Sequence, residues 1–286
     1  MDTAVTHTLP QAQEARSYLR ETSQPIYSAA IILPFLVVYE LGLIFLKSDV
    51  INGGDAILLN LGGPLMRAIG MHASLVPLVV LGVYLVVAQV RKSNGWSLKA
   101  STLGVLFMES LLYAVLLFVL LGLFLRHLPG MNVERPEVQR PLVTVEQSRV
   151  SMSSTQSPGM AAPNGPVAAS ANGRYQPGIQ DFVLYCGAGV YEELVFRVLL
   201  LGLLMLVFTK LFHMEHAYAA VWATLAGALI FSAFHHIGGE PFVAGVFSQR
   251  VFAGVYFSAL YLTRSFGVAA ASHALYDIVV GLNQYV

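Results

Sequence analysis

Of the 286 residues, 56% are hydrophobic and only 11% charged, and 16 Lys and Arg balance 16 Asp and Glu to a formal net charge of zero. A soluble domain carries about 25% charged residues, so this composition, with a mean hydropathy of +0.66, excludes an ordinary water-soluble domain. Lys and Arg are scattered and form no polybasic stretch, which sets nucleic acid aside as a partner.

The first 25 residues read as a polar tail in which Arg16 and Arg20 are offset by Glu14 and Glu21. No small-residue cleavage site follows the first apolar run, so that run reads as a retained span rather than a signal peptide. Crossing about 30 Å of hydrocarbon takes about 20 helical residues. Apolar segments of that order lie near 26–46, 73–90, 103–125, 179–209, 217–236, 242–263 and 266–285. The stretch 56–70 is shorter and carries Asn60, Gly62, Gly63, Pro64 and Arg67, which suits a re-entrant or interfacial piece. The expected fold class is therefore an all-α, polytopic transmembrane helix bundle of seven or eight spans.

Between 127 and 177 the composition turns to Ser, Pro, Gly, Ala, Asn and Gln. Such a stretch buries too little apolar surface to offset its ordering entropy and reads as a disordered linker. It divides amino-terminal transmembrane segments (26–126) from a carboxy-terminal helical domain (178–286). No internal repeat is visible. Arg91, Lys92 and Lys99 share one loop, and simple alternation puts Lys210 and Arg264 on the same side, which the positive-inside rule names cytoplasmic. Against this, Arg135, Arg140, Arg149 and Arg174 sit in the linker on the opposite face. The lone cysteine, Cys186, permits neither an intrachain disulfide nor a thiolate metal cluster.

Three polar clusters interrupt the carboxy-terminal apolar segments. In Tyr191-Glu192-Glu193-Leu194-Val195-Phe196-Arg197, two carboxylates and a guanidinium sit at membrane depth, where each charge costs about 2.5–3.5 kcal/mol on insertion scales. Glu193 and Arg197 are four apart on a helix and can pair. Glu192 points about 100° away, leaving a carboxylate to face a polar cavity as a general base. The plainer reading is that both Glu residues only lock the bundle. The second cluster, Phe231 to His236, ends the next segment, and antiparallel spans return His235 towards Glu192; His236 points elsewhere on the helix and is the weaker candidate. The third, Ser272 to Asp277, sets His273 and Asp277 on one helical face, where Asp277 can orient the imidazole. Taken singly, each histidine is as readily an interfacial or core residue. Counted from opposite surfaces, His273 and Glu192 each lie about 12 Å in, depths that differ by about 6 Å across about 30 Å of hydrocarbon, which helix tilt can absorb. Glu192, His235, His273 and Asp277 can therefore converge on one pocket that activates a water and stabilises an oxyanion.

The order E-E-x-x-x-R (Glu192 to Arg197), F-x-x-x-H (Phe231 to His235) and H-x-x-x-N/D (His273 to Asp277) resembles the CPBP family. These intramembrane proteases include the type II CAAX prenyl endopeptidases and the bacterial abortive-infection (ABI) proteins. The resemblance covers roughly 179–286. It implies a glutamate-dependent endopeptidase in which Glu192 and His235 activate the attacking water. His273 with residue 277 would stabilise the oxyanion, and Glu193 and Arg197 would support Glu192. The departure is Asp277, where the prenyl endopeptidases have Asn: an ionised Asp accepts hydrogen bonds, whereas Asn donates them. Either Asp277 is protonated, or it works by holding His273. Members of the family have also been labelled metalloproteases, and Glu192, His235 and His273 form a two-His, one-Glu zinc set in principle. With no H-E-x-x-H helix, the expectation is no metal and no other cofactor.

Structural roles are expected for the intramembrane carboxylates Glu40 and Glu109. His213, Glu215 and His216 make a remote metal option, and Glu240, in the turn Gly238-Gly239-Glu240-Pro241, a remote competitor for the base role. The expected function is an intramembrane endopeptidase acting on a membrane-associated peptide or protein substrate in or beside the lipid bilayer, with CAAX-type carboxy-terminal processing as one form. The expected location is the cell (inner) membrane, as a multi-pass protein. The alternative is a catalytically silent binding or immunity-type protein using the same pocket. Proton or ion transport is weaker, since no paired, Gly/Pro-broken inverted halves appear.

Overall fold

The computed structural model describes residues 8–46, 50–51, 53–68, 75–92, 96–126, 143–144, 178–237 and 242–283. The helices are α1 (Thr8–Thr22), α2 (Pro25–Leu46), α3 (Gly53–Ala68), α4 (Val76–Lys92), α5 (Ala100–Arg126), α6 (Ile179–Leu211), α7 (His216–Ile237), α8 (Ala244–Thr263) and α9 (Phe266–Asn283). The expected all-α membrane bundle is what forms. A two-residue antiparallel ladder, β1 (Val50–Ile51) with β2 (Val143–Thr144), pairs Val50 with Thr144 and Ile51 with Val143. Apart from β2, the expected linker at 127–177 lies outside the described residues, as does the turn 238–241 with Glu240.

Five helices, α2, α5, α6, α7 and α9, are long and apolar enough to cross a membrane. The short segment around 56–70 becomes α3, 16 residues with Pro64 inside it, and the polar tail contributes α1. A lipid-facing bundle turns apolar side chains outward, and Leu33, Phe45, Met108, Leu112, Leu203 and Trp222 are all exposed. The helix α9 lies at the centre: 67% of its most apolar window is buried, against 22–33% for the other four. Its sequence explains that position. Gly267, Ala269, Ala270, Ala271, Ser272 and Ala274 are small and buried, which lets neighbouring backbones approach, as helix packing in membranes favours. Helices α2, α5, α6 and α8 all pack on α9.

At one end of the bundle the basic residues of different loops meet α1. Lys92 Nζ donates to Ser23 O at 2.7 Å, Lys99 Nζ pairs with Glu21 at 3.1 Å, and Arg264 reaches Thr22 Oγ1 at 3.3 Å. Lys92, Lys99 and Arg264 therefore share one side, as simple alternation of spans expects. The two expected structural carboxylates have partners: Glu109 receives Arg264 through Nε and Nη2 at 2.5 and 2.6 Å and the Tyr18 hydroxyl at 2.6 Å, and Glu40 receives the Tyr191 hydroxyl at 2.6 Å.

Candidate active site

Helix α6 supplies the carboxylates. It is α-helical from Ile179 to Glu193 and widens into a π-helix from Leu194 to Leu201, so the two Glu residues close the α part and Arg197 stands in the wider turn. Single π turns often occur at functional sites. Glu192 and Glu193 are 3% and 0% exposed and Arg197 is 1% exposed. The sequence-expected pair forms, with Arg197 Nη1 2.9 Å from Glu193 Oε1. The guanidinium also lies over two aromatic faces, 4.8 Å from the Phe231 centroid and 5.6 Å from that of Phe257. Arg197 Nη2 reaches Gly254 O at 3.5 Å.

The close approach of α9 to α6 brings His273 to the same carboxylate. A Cβ at Gly189 would lie 2.3 Å from Ala274 N and 2.5 Å from its Cβ. Only glycine allows that contact, one helical turn before Glu193. His273 Nδ1 then sits 2.7 Å from Glu193 Oε1, while Nε2 is 3.6 Å from Asp277 Oδ2. The imidazole is stacked on Phe257, with centroids 4.5 Å apart at 19°. Asp277 faces His273 as expected, but the closer partner is Glu193, because α9 lies against α6 at Ala274. Glu193 thus holds Arg197 and His273 through one oxygen.

Glu192 stands apart from that pairing. Its Oε2 is buried with no hydrogen-bond partner among the described residues. His235, 1% exposed near the end of α7, donates from Nδ1 to the carbonyl of Phe231, one turn back, at 2.8 Å. With Nδ1 carrying the proton, Nε2 keeps a lone pair. The Phe231 ring stands between the two histidines, 4.9 Å from His235 and 6.5 Å from His273 by centroids. His236 stacks on Phe247.

Two contributions were not anticipated from the sequence. One is Arg250, a charged residue buried on α8; an Arg inside an apolar run was the available signal. The first turn of α3 also reaches Glu192: a Cβ on Gly53 would lie 3.3 Å from its Oε1. The Gly53-Gly54-Asp55 run at a helix start was the visible trace. No group of three His, Cys, Asp or Glu side chains among the described residues is arranged to hold a metal ion, either at Glu192, His235 and His273 or around His213, Glu215 and His216.

Residues 177–279 match the family model described as type II CAAX prenyl endopeptidase Rce1-like. This is the group that the three motifs resemble, and the match spans all of them. No curated protein and no solved structure matches the chain. Long apolar helices and the family match together give an integral membrane protein whose carboxy-terminal region is similar to the type II CAAX prenyl endopeptidases.

Proposed function

Starting from the Rce1-like region at residues 177–279, we propose that this chain is an intramembrane endopeptidase in which Glu192 activates the attacking water. The carrying observation is the inequality of two adjacent carboxylates. Each has a buried Oε2 without a partner, but Glu193 is occupied at Oε1 by both Arg197 and His273, whereas Glu192 has no ion pair among the described residues. A buried carboxylate without a partner is costly as structure, and a general base needs that open oxygen.

In the proposed reaction, water donates one hydrogen bond to Glu192 and another to His235 Nε2. Glu192 takes the proton as the water oxygen bonds to the substrate carbonyl carbon. The π bond becomes an oxyanion, which accepts a hydrogen bond from Nε2–H of His273 in its imidazolium form, whose Nδ1–H is donated to Glu193. Glu193 holds the other ring nitrogen, and a protonated Asp277 offers a second donor or, ionised, orients the ring. Collapse of the tetrahedral intermediate breaks the C–N bond, and Glu192 returns its proton to the leaving amine. Arg197 keeps Glu193 charged beneath His273. The substrate is a membrane-associated peptide or protein, with CAAX-type processing as one form; the reaction uses no cofactor and takes place in the cell (inner) membrane.

The experiment is cleavage of membrane-anchored reporter peptides, prenylated and unprenylated, by purified protein with and without chelator. Product that persists in chelator supports the reading, and product lost to chelator would overturn its metal-free chemistry. Asp277 in place of Asn favours one second reading, a silent binding or immunity-type protein, whose outcome is peptide retained uncut across the whole panel.

A further inference from the structure

The amino end of α3, far outside the family-matched residues, abuts the proposed base. A Cβ on Gly54 would lie 2.5 Å from the carbonyl carbon of Tyr191 and 2.6 Å from Glu192 N, so α3 rests backbone to backbone on α6 at this point. A Cβ on Gly53 would lie 3.2 Å from Phe234 Cε1 and 3.3 Å from Glu192 Oε1. Both glycines are buried. The next residue, Asp55, is also buried and receives the Tyr39 hydroxyl. Tyr39 in turn packs its ring over α6, where a Cβ on Gly187 would lie 2.4 Å from Cδ2. The first turn of α3 is thus pinned to α2 on one side and to α6 on the other.

The first four N–H groups of a helix have no acceptor within it, and that end carries a partial positive charge. What lies against this end is Glu192, 3% exposed and with Oε2 unpartnered. We infer that Gly53 is a positioning residue of the active site. The Gly53–Gly54 start of α3, bare of side chains, is the wall that holds the Glu192 carboxylate in line. The inference rests on the protease reading and adds a part supplied by the amino-terminal half.

The test compares wild type, Gly53→Ala and Gly82→Ala, the last a site where a Cβ meets nothing within 4 Å. Moving a reacting group by 1 Å can cost about 10²-fold. A methyl at position 53 that displaces the carboxylate by a few tenths of that should lower kcat about 10-fold. KM and the thermal midpoint should stay near wild type, a split that a merely structural role would not give. Gly82→Ala should match wild type. A second measurement, independent of turnover, uses Gly53→Cys with Phe234→Cys in a Cys186→Ser background and a short dithiol cross-linker. Linkage is expected there and not for Leu61→Cys with Phe234→Cys, about 12 Å further along the helix. Wild-type kcat in Gly53→Ala, or no linkage, would overturn the inference while leaving the protease reading in place. A wild type that cleaves no reporter would overturn the protease reading and this kinetic role with it.

Discussion

Two neighbouring glutamates do different things here because of what each side chain meets. Glu193 turns towards α9 and takes up His273 and Arg197, while Glu192 turns towards α3. That division was readable from helical spacing alone, since four residues join Glu193 to Arg197 and one residue rotates Glu192 away. The pairing of His273 with Glu193 was not, because it depends on the contact of α9 with α6 and not on spacing within either helix. Asp277 is the residue whose role is most open to direct test. With Asn the side chain donates to an oxyanion in any protonation state, so Asp277→Asn should keep cleavage. Asp277→Leu should cost about 10²–10³ in kcat, the size of one lost oxyanion donor. Steady-state kinetics of the two variants against one reporter would check this; equal activity in both would remove residue 277 from oxyanion stabilisation.

The site depends on helices that come very close, and small residues decide which ones do. Gly189 is the clearest case, because its missing side chain lets Ala274 approach and so delivers His273 to Glu193. Gly189→Ala should destabilise the bundle by about 1–3 kcal/mol, as overpacking does, and should also depress kcat by moving His273. Thermal unfolding in detergent together with kinetics would show both losses; a full-activity variant would mean that the contact is not needed. Apolar windows located most helices to within a few residues, as at 26–46 against Pro25–Leu46 and 217–236 against His216–Ile237. They did not reveal the π-helical stretch from Leu194 or the helix in the polar amino-terminal tail. A π turn leaves hydropathy unchanged, and α1 is tied down by distant partners such as Glu109, which its own sequence does not display.

Across the molecule, the amino-terminal helices pack closely on the carboxy-terminal ones. Helix α2 packs on α6 and α9, α5 packs on α9, and α3 touches the backbone at Glu192. Arg264, in the link between α8 and α9, bridges to Glu109 on α5 and to Thr22 on α1. Arg264→Met removes these charged hydrogen bonds and should cost about 1.5–3 kcal/mol, read as a lower unfolding midpoint; an unchanged midpoint would show that the bridge does not hold the halves together. Composition alone pointed to the membrane class, and the three motifs together pointed to the family whose model residues 177–279 match. The joining of the halves was hidden because no spacing rule links residue 53 to residue 192.

The reading turns on Glu192, and its most direct test is the specific activity of purified Glu192→Gln beside wild type on one membrane-anchored reporter, with matched unfolding midpoints. Gln keeps the size of the side chain but cannot take a proton from water. Loss of a general base costs about 10²–10⁴-fold, and kcat should fall by at least that factor while the midpoint holds. Activity within a few-fold of wild type would contradict the assignment of Glu192 as the base.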